Sequence, residues 1–115
     1  MAIQIYALKK GFDVQKAERY FKERRIPYQF VDLSRHAMGL RELMSVAAQV
    51  GVQALIDVDG KAYQEHYIGH LRDDEAILKE LAARPALLRT PIVRNGRLAT
   101  VGFAPDVWAG WPPAK

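Results

Sequence analysis

Residues 9–13, Lys-Lys-Gly-Phe-Asp, hold the densest group of chemically useful residues in this sequence. They lie between a short apolar run and a stretch with helical spacing, in "YALKKGFDVQKAERYF". A strand that feeds a helix through a tight turn aims the first backbone N–H groups of that helix at whatever lies in front of it. Many enzymes place a nucleophile or a phosphate there; this chain places Gly11 there. Lys9 and Lys10, with the N–H groups of Gly11, Phe12 and Asp13, could cradle an anion. The plainer reading is a solvated basic pair, with the Asp13 carboxylate competing for the same donors.

Other reactive types are thinly spread. His66 and His70 have the i,i+4 spacing of two ligands on one helical face. A zinc ion wants three or four protein ligands, though, and nothing in the sequence brings Glu65 or His36 to them. Gly69 also weakens the helix on which the spacing depends, so packed or solvated histidines are the expectation. Asp57, Asp59 and Glu65 are available acids or bases, but no spacing singles out a pair. Trp108 and Trp111 read as core anchors and not as a base-stacking platform.

The 115-residue chain has no cysteine, which excludes disulfides, thiolate nucleophiles and cysteine-bound metals. The length suits one domain, over 1–115. Half the residues are hydrophobic and 26% are charged, which is globular and not disordered composition. The net charge of +4 is scattered, so the expectation is a mildly basic surface without direct nucleic-acid binding. No apolar run approaches a membrane span, and the N-terminus does not read as a signal peptide. The expected location is cytoplasmic. No cofactor is implied.

The elements that must position residues 9–13 are legible in outline. Ile3, Ile5 and Ala7 alternate with Gln4 and Tyr6, predicting a strand. Asp13 is the predicted N-cap of a helix whose apolar stripe is Val14, Ala17 and Phe21. That helix must end near Arg25, because Ile26 precedes Pro27. Residues 28–33, "YQFVDL", predict a second, parallel strand. Gly39 is the predicted N-cap of the next helix, with the stripe Leu40, Leu43, Met44 and Ala47, and Gly51 at its C-terminal end. Residues 52–71 show no clear period. Asp73, Asp74 and Glu75 predict a helix N-terminus, Ile77, Leu78 and Leu81 its buried face, and Pro85 its end. Asn95-Gly96 predicts a type I′ hairpin joining strands at 91–94 and 97–101. "APDVWAGW" predicts a short last helix, ended by Pro112-Pro113. The order β-α-β, a helical insert at about 39–84, then β-β-α is an α/β (α+β) thioredoxin-like arrangement. It implies a small mixed four-stranded sheet with helices on both faces.

Over nearly its whole length the chain resembles the ArsC/Spx group, thioredoxin-fold proteins with a helical insert that include arsenate reductases and the Spx regulators. The segments that carry the resemblance are "IYALKKGFDVQKAERYF", "RRIPYQFVDL", "GLRELMSV" and, above all, "ARPALLRTPIVRNGRLATVGFAPDVW". The resemblance implies a reactive cysteine at the start of the first helix, where the helix N-terminus would stabilise its thiolate. The matching position is Gly11, which has no side chain. It also implies arginines that hold the arsenate oxyanion. The matching positions are Thr90, Asp57 and Phe103. Nucleophile and anion clamp are lost together, and an aspartate where a guanidinium is wanted would repel an oxyanion.

The resemblance further implies that Pro91 is the cis-proline beside the active-site turn, where the Thr90–Pro91 peptide could face an extended peptide or glutathione-like ligand. Arg89 matches one of two adjacent arginines of the Spx pattern, which leaves open a surviving anion or partner contact and, equally, a plain surface arginine at the start of a strand. The expectation is a non-catalytic binding or regulatory module acting through Lys9, Lys10, Gly11, Phe12, Arg89, Thr90 and Pro91. Its partner would be a protein, by the Spx analogy with RNA polymerase, or a small anion. The alternative is a thiol oxidoreductase of the arsenate reductase-like type.

Overall fold

A computed structural model describes residues 3–8, 11–65 and 67–111. Lys9, Lys10, His66 and the Pro112-Pro113 pair lie outside the described residues. The sheet is built on β1 (Ile3–Ala7), whose side chains alternate between two cores. Ile3, Ile5 and Ala7 enter one and Tyr6 enters the other. β2 (Tyr28–Asp32) pairs parallel with β1, and β3 (Ile92–Asn95) pairs antiparallel on its other side. β4 (Leu98–Val101) closes the order β2-β1-β3-β4. This is the expected mixed four-stranded sheet.

One face is covered by α1 (Phe12–Glu23) and the short α5 (Pro105–Trp108). Val14, Ala17 and Phe21 of α1 are buried against Ile5, Ala7 and Val93. Trp108 is buried there too, with ring centroids 5.1 Å from Tyr20 and 5.0 Å from Phe21. Its indole N–H donates to Thr100 Oγ1 at 2.8 Å, so the buried donor is satisfied and α5 is tied to β4. Trp111 lies half-buried beside the same cluster.

The insert covers the other face. α2 (Leu40–Val50), the short α3 (Lys61–Gln64) and α4 (Asp74–Ala83) pack Leu43, Val46, Ile77, Leu78 and Leu81 against Tyr6 and Ile92. The unreadable stretch 52–71 holds 3₁₀ turns at Gln53–Leu55 and Tyr67–His70. Ile56 bridges Leu88, which clips this stretch to the segment before β3. At the predicted caps, the Gly39 N–H donates to Glu42 Oε1 at 3.2 Å, Gly51 takes φ +88°, and Asp73 accepts from the Ala76 N–H at 3.3 Å.

Four local expectations are corrected. The N-cap of α1 is Gly11, not Asp13; Asp13 falls in the first turn, where it pairs with Lys16 one turn on, at 3.8 Å. The buried centre of α2 is Leu43 and Val46, and Met44 is 52% exposed, because the helix is rolled so that Val46 meets the core. Each hairpin strand starts one residue later than expected, at Ile92 and Leu98. Asn95 pairs with Leu98, so the two-residue loop is Gly96-Arg97. Only Gly96 has positive φ, which is the type II′ pattern and not type I′.

The C-terminus of α1 forms a Schellman motif, with Ile26 N–H donating to Phe21 O at 2.9 Å and Arg25 N–H to Lys22 O at 3.1 Å. Arg25 takes the left-handed position, φ +56°, normally given to glycine. Removing its Cβ relieves a cost of about 1–2 kcal/mol. Arg25→Gly is therefore expected to be more stable than Arg25→Ala by about 1 kcal/mol in urea unfolding, the reverse of the usual helix order. Equal stabilities would contradict the left-handed strain.

Tyr28 on β2 donates its hydroxyl hydrogen to the buried Glu18 of α1 at 2.9 Å. Burial, then this bond to a carboxylate, pushes the Tyr28 hydroxyl from its usual 10.0 up to about 12. The folded state thus keeps a proton that the unfolded chain releases first. The stabilisation is complete below pH 10 and is lost as pH rises from 10 towards about 12. In Tyr28→Phe this share of the alkaline loss is expected to vanish, as read from urea midpoints at several pH values in that window.

Candidate functional site

The site lies where β1 ends and α1 begins. Gly11 has ordinary extended geometry, φ −76°, and makes no side-chain cap, so the first-turn N–H groups of α1 open outward. A Cβ built on Gly11 meets no atom within 4 Å. The position is thus open to any side chain, but the chain supplies none. Phe12, the next residue, is 75% exposed.

The β1–β3 register places Tyr6 opposite Ile92, which carries Pro91 to the end of β1 beside this turn. The Thr90–Pro91 peptide is cis, as expected. Pro91 is buried, and its carbonyl accepts from the Gly102 N–H at 2.8 Å. Arg89 is exposed, and a Cβ on Gly102 would sit 3.9 Å from Arg89 Nη2. Gly11, Phe12, Thr90 and Pro91 therefore share one end of the sheet, and Arg89 flanks it near Gly102.

Sequence reasoning missed one arrangement here. Lys16 Nζ lies 4.9 Å from the centroid of Phe12 and 4.6 Å from that of Phe103, in cation–π contact with both rings. The same ammonium is 3.8 Å from Asp13 Oδ1. Phe103 is 38% exposed and stacks edge-on against Trp108 at 5.5 Å. Lys16 and Phe103 lie far apart in sequence, and only the β4–α5 turn brings them together. The nearest signal was the place of Phe103 in the family pattern, at an arginine position.

Among the described residues at this mouth, the charged groups nearest the turn are engaged within the protein. Lys16 is engaged by Asp13. One strand away, Asp32 faces Ala7 in the β1–β2 register, and hydrogen bonds from the Ser34 hydroxyl and N–H hold its carboxyl below the usual range. Asp57 belongs to a different loop. Its N–H donates to Leu87 O, and its carboxylate packs over Gly60, where a Cβ would be 2.6 Å from Oδ2. The described residues form no arginine clamp for an oxyanion.

The remaining candidates do not assemble. The expectation for His66 lies outside the described residues; among them, α3 ends at Gln64 and His70 lies in the 3₁₀ turn Tyr67–His70. Glu65 pairs with Lys61 at the surface, 3.9 Å away. Among the described residues no group of three or more His, Asp or Glu could hold a metal ion. No described helix is long and apolar enough to cross a membrane.

A polar cluster that the sequence did not announce lies on the insert face. The Tyr6 hydroxyl is 3.0 Å from Gln4 Oε1 and 3.4 Å from Glu42 Oε2, and it accepts from Arg94 Nη1 at 3.5 Å. Arg94 Nη1 is also 3.5 Å from Glu42 Oε2, and burial raises the Tyr6 hydroxyl above its usual value. The cluster joins β1, β3 and α2 and is structural.

Because the Gly11 position is open and its backbone unstrained, Gly11→Cys is expected to change stability by no more than about 0.5 kcal/mol. A loss well above that in urea unfolding would show that the turn is closed to side chains.

Comparison with known proteins bears on this site. Among curated proteins no sequence match is found. Solved structures do match. The YFFB protein is 22% identical with a TM-score of 0.84, over 94% of this chain and 96% of its own. An arsenate reductase from Vibrio cholerae is 23% identical with a TM-score of 0.81, over 93% and 94%. An arsenate reductase (ArsC) related protein from Brucella melitensis is 19% identical with a TM-score of 0.70, over 96% and 94%. At such identities they establish the shared thioredoxin-like fold. The ArsC family model matches residues 6–110, nearly the whole chain and all of the site just described, and the chain therefore belongs to the ArsC family.

Proposed function

We propose that this chain is a non-catalytic binding module that uses the thiol-presenting end of the ArsC fold without a thiol. The observation that supports it is Gly11 itself. It stands exposed at the N-terminus of α1, between an exposed Phe12 and the cis Thr90–Pro91 peptide, in a chain with no cysteine. Thiol–disulfide exchange and arsenate reduction both need a thiolate. Among the described residues, what is offered instead is a row of backbone groups, two aromatic faces and a lysine already shared with Asp13.

Such a surface suits an extended peptide more than a bare oxyanion. The aromatic rings give contact area, and the backbone beside Pro91 gives directional hydrogen bonding. Glutathione is the smallest ligand of that kind, and a protein partner would present a segment of the same character. RNA polymerase is a partner by the Spx analogy alone. The cytoplasm, where Spx-like regulators would act, is the compartment that fits this reading.

Purified protein is expected to show no arsenate-dependent oxidation of glutathione or thioredoxin above a heat-killed control. Glutathione titrated into ¹⁵N-labelled protein is expected to shift the amides of Gly11, Phe12 and Gly102 in a saturable way, and Phe12→Ser is expected to weaken that response. Turnover above the control overturns the non-catalytic reading. Unmoved amides at the turn overturn the peptide-binding reading.

A further inference from the structure

A second feature lies at the opposite end of α1, about 18 Å from Gly11 along the helix axis. A groove of about 500 Å³ opens between the C-terminus of α1 and α5. Its walls are Phe21, Ile26, Trp108 and Trp111, and Arg24 and Arg25 line it as well. That volume is in the range that holds small organic ligands, and the lining has the usual character, apolar and aromatic with few polar groups.

The two arginines differ. Arg24 is committed to the protein. Its guanidinium lies 3.8 Å from the Tyr20 ring centroid, and Nη1 donates to Tyr20 O at 3.2 Å. Arg25 is exposed and has no ion pair with any described residue. A helix C-terminus by itself attracts a cation, which is the plain explanation of a basic residue here. That explanation is weakened because the carbonyls of Tyr20, Phe21 and Lys22 already accept hydrogen bonds. It also does not explain why an arginine occupies a left-handed position that glycine would take without strain. Strained positions of this kind concentrate at ligand clamps.

We propose that this groove binds a small amphipathic carboxylate, its apolar body against Trp108 and Trp111 and its carboxylate on the Arg25 guanidinium. The fork of N–H donors matches a carboxylate in two-point geometry, and the aromatic walls exclude water from the body of the ligand. The choice of a carboxylate over a neutral or cationic amphiphile rests on charge, because Arg24 and Arg25 are the charged groups lining the groove. The groove requires neither Gly11 nor any thiol chemistry.

Both tryptophans of the chain line the groove, so tryptophan emission reports on it, and the Arg25 variants separate a groove response from one reaching Trp108 through Phe103. With full-length protein, 4-phenylbutyrate is expected to give a saturable emission change. 4-Phenylbutanol and 4-phenylbutylamine are expected to bind about tenfold more weakly or not at all. Arg25→Gly is expected to weaken phenylbutyrate binding about tenfold while folding at least as stably as Arg25→Ala, and Arg25→Lys to recover part of the affinity. A flat titration overturns the proposal, whether nothing binds or residues 112–115 fill the groove. So does equal affinity for acid, alcohol and amine, which would mark an unselective apolar cleft. Unchanged affinity in Arg25→Gly overturns it as well.

Discussion

Both hydrophobic layers of this protein depend on the pairing of one strand, β1, between two neighbours. Its backbone hydrogen bonds run to β2 on one side and β3 on the other, and its side chains enter both cores. The period of a strand is two residues, so a slip of one position would exchange the faces. Ile5 would leave the α1 core and Tyr6 would lose its contacts with Glu42 and Arg94. The same register fixes the site. β1 delivers the chain to Gly11 and, through its pairing with β3, sets Pro91 beside that turn.

What the ArsC architecture keeps in this chain is presentation. The strand, the outward N-terminus of α1 and the cis Thr90–Pro91 peptide are all in place. The chain has no cysteine to present there, and the described groups around the turn are bound within the protein. Lys16 is held among Asp13, Phe12 and Phe103, so its charge is spent within the protein. Asp32 stays ionised one strand away. Among the described residues, the groups facing the turn are two exposed aromatic rings and a lysine already engaged by Asp13.

Most of the fold was legible because its signals are local. Alternation in residues 3–7, the helical stripe Val14, Ala17 and Phe21, the acidic run 73–75 and the glycine at 51 each act within a turn or two of chain. The errors were also local, and tertiary context caused them. Asp13 is an excellent N-cap by type, but β1 and its turn bring the chain into helix at Gly11. The stripe on α2 was placed too far round, because its apolar residues span a wide arc and only packing selects Val46 over Met44. Asn95-Gly96 suggested a type I′ turn, yet pairing through Asn95 and Leu98 moved the loop on by one residue. Residues 52–71 gave no period because their described part is broken into two 3₁₀ turns and the four-residue α3, with Ile56 held to Leu88, a contact far apart in sequence.

The sequence by itself determined the element order, the absence of any thiol and, through its motifs, the resemblance that located Gly11, Thr90 and Pro91. Those properties are covalent or follow from spacing along a few residues. Only the tertiary structure decided which groups meet at the site. Lys16 joins Phe103 across α1 and the β4–α5 turn, Asp57 packs over Gly60, and His70 lies in a 3₁₀ turn. The groove under Trp108 and Trp111 was equally invisible in the sequence. Its walls come from the end of α1 and from α5, and they meet because both pack on the same face of the sheet. Contacts between such distant segments depend on how layers stack, which no local pattern encodes.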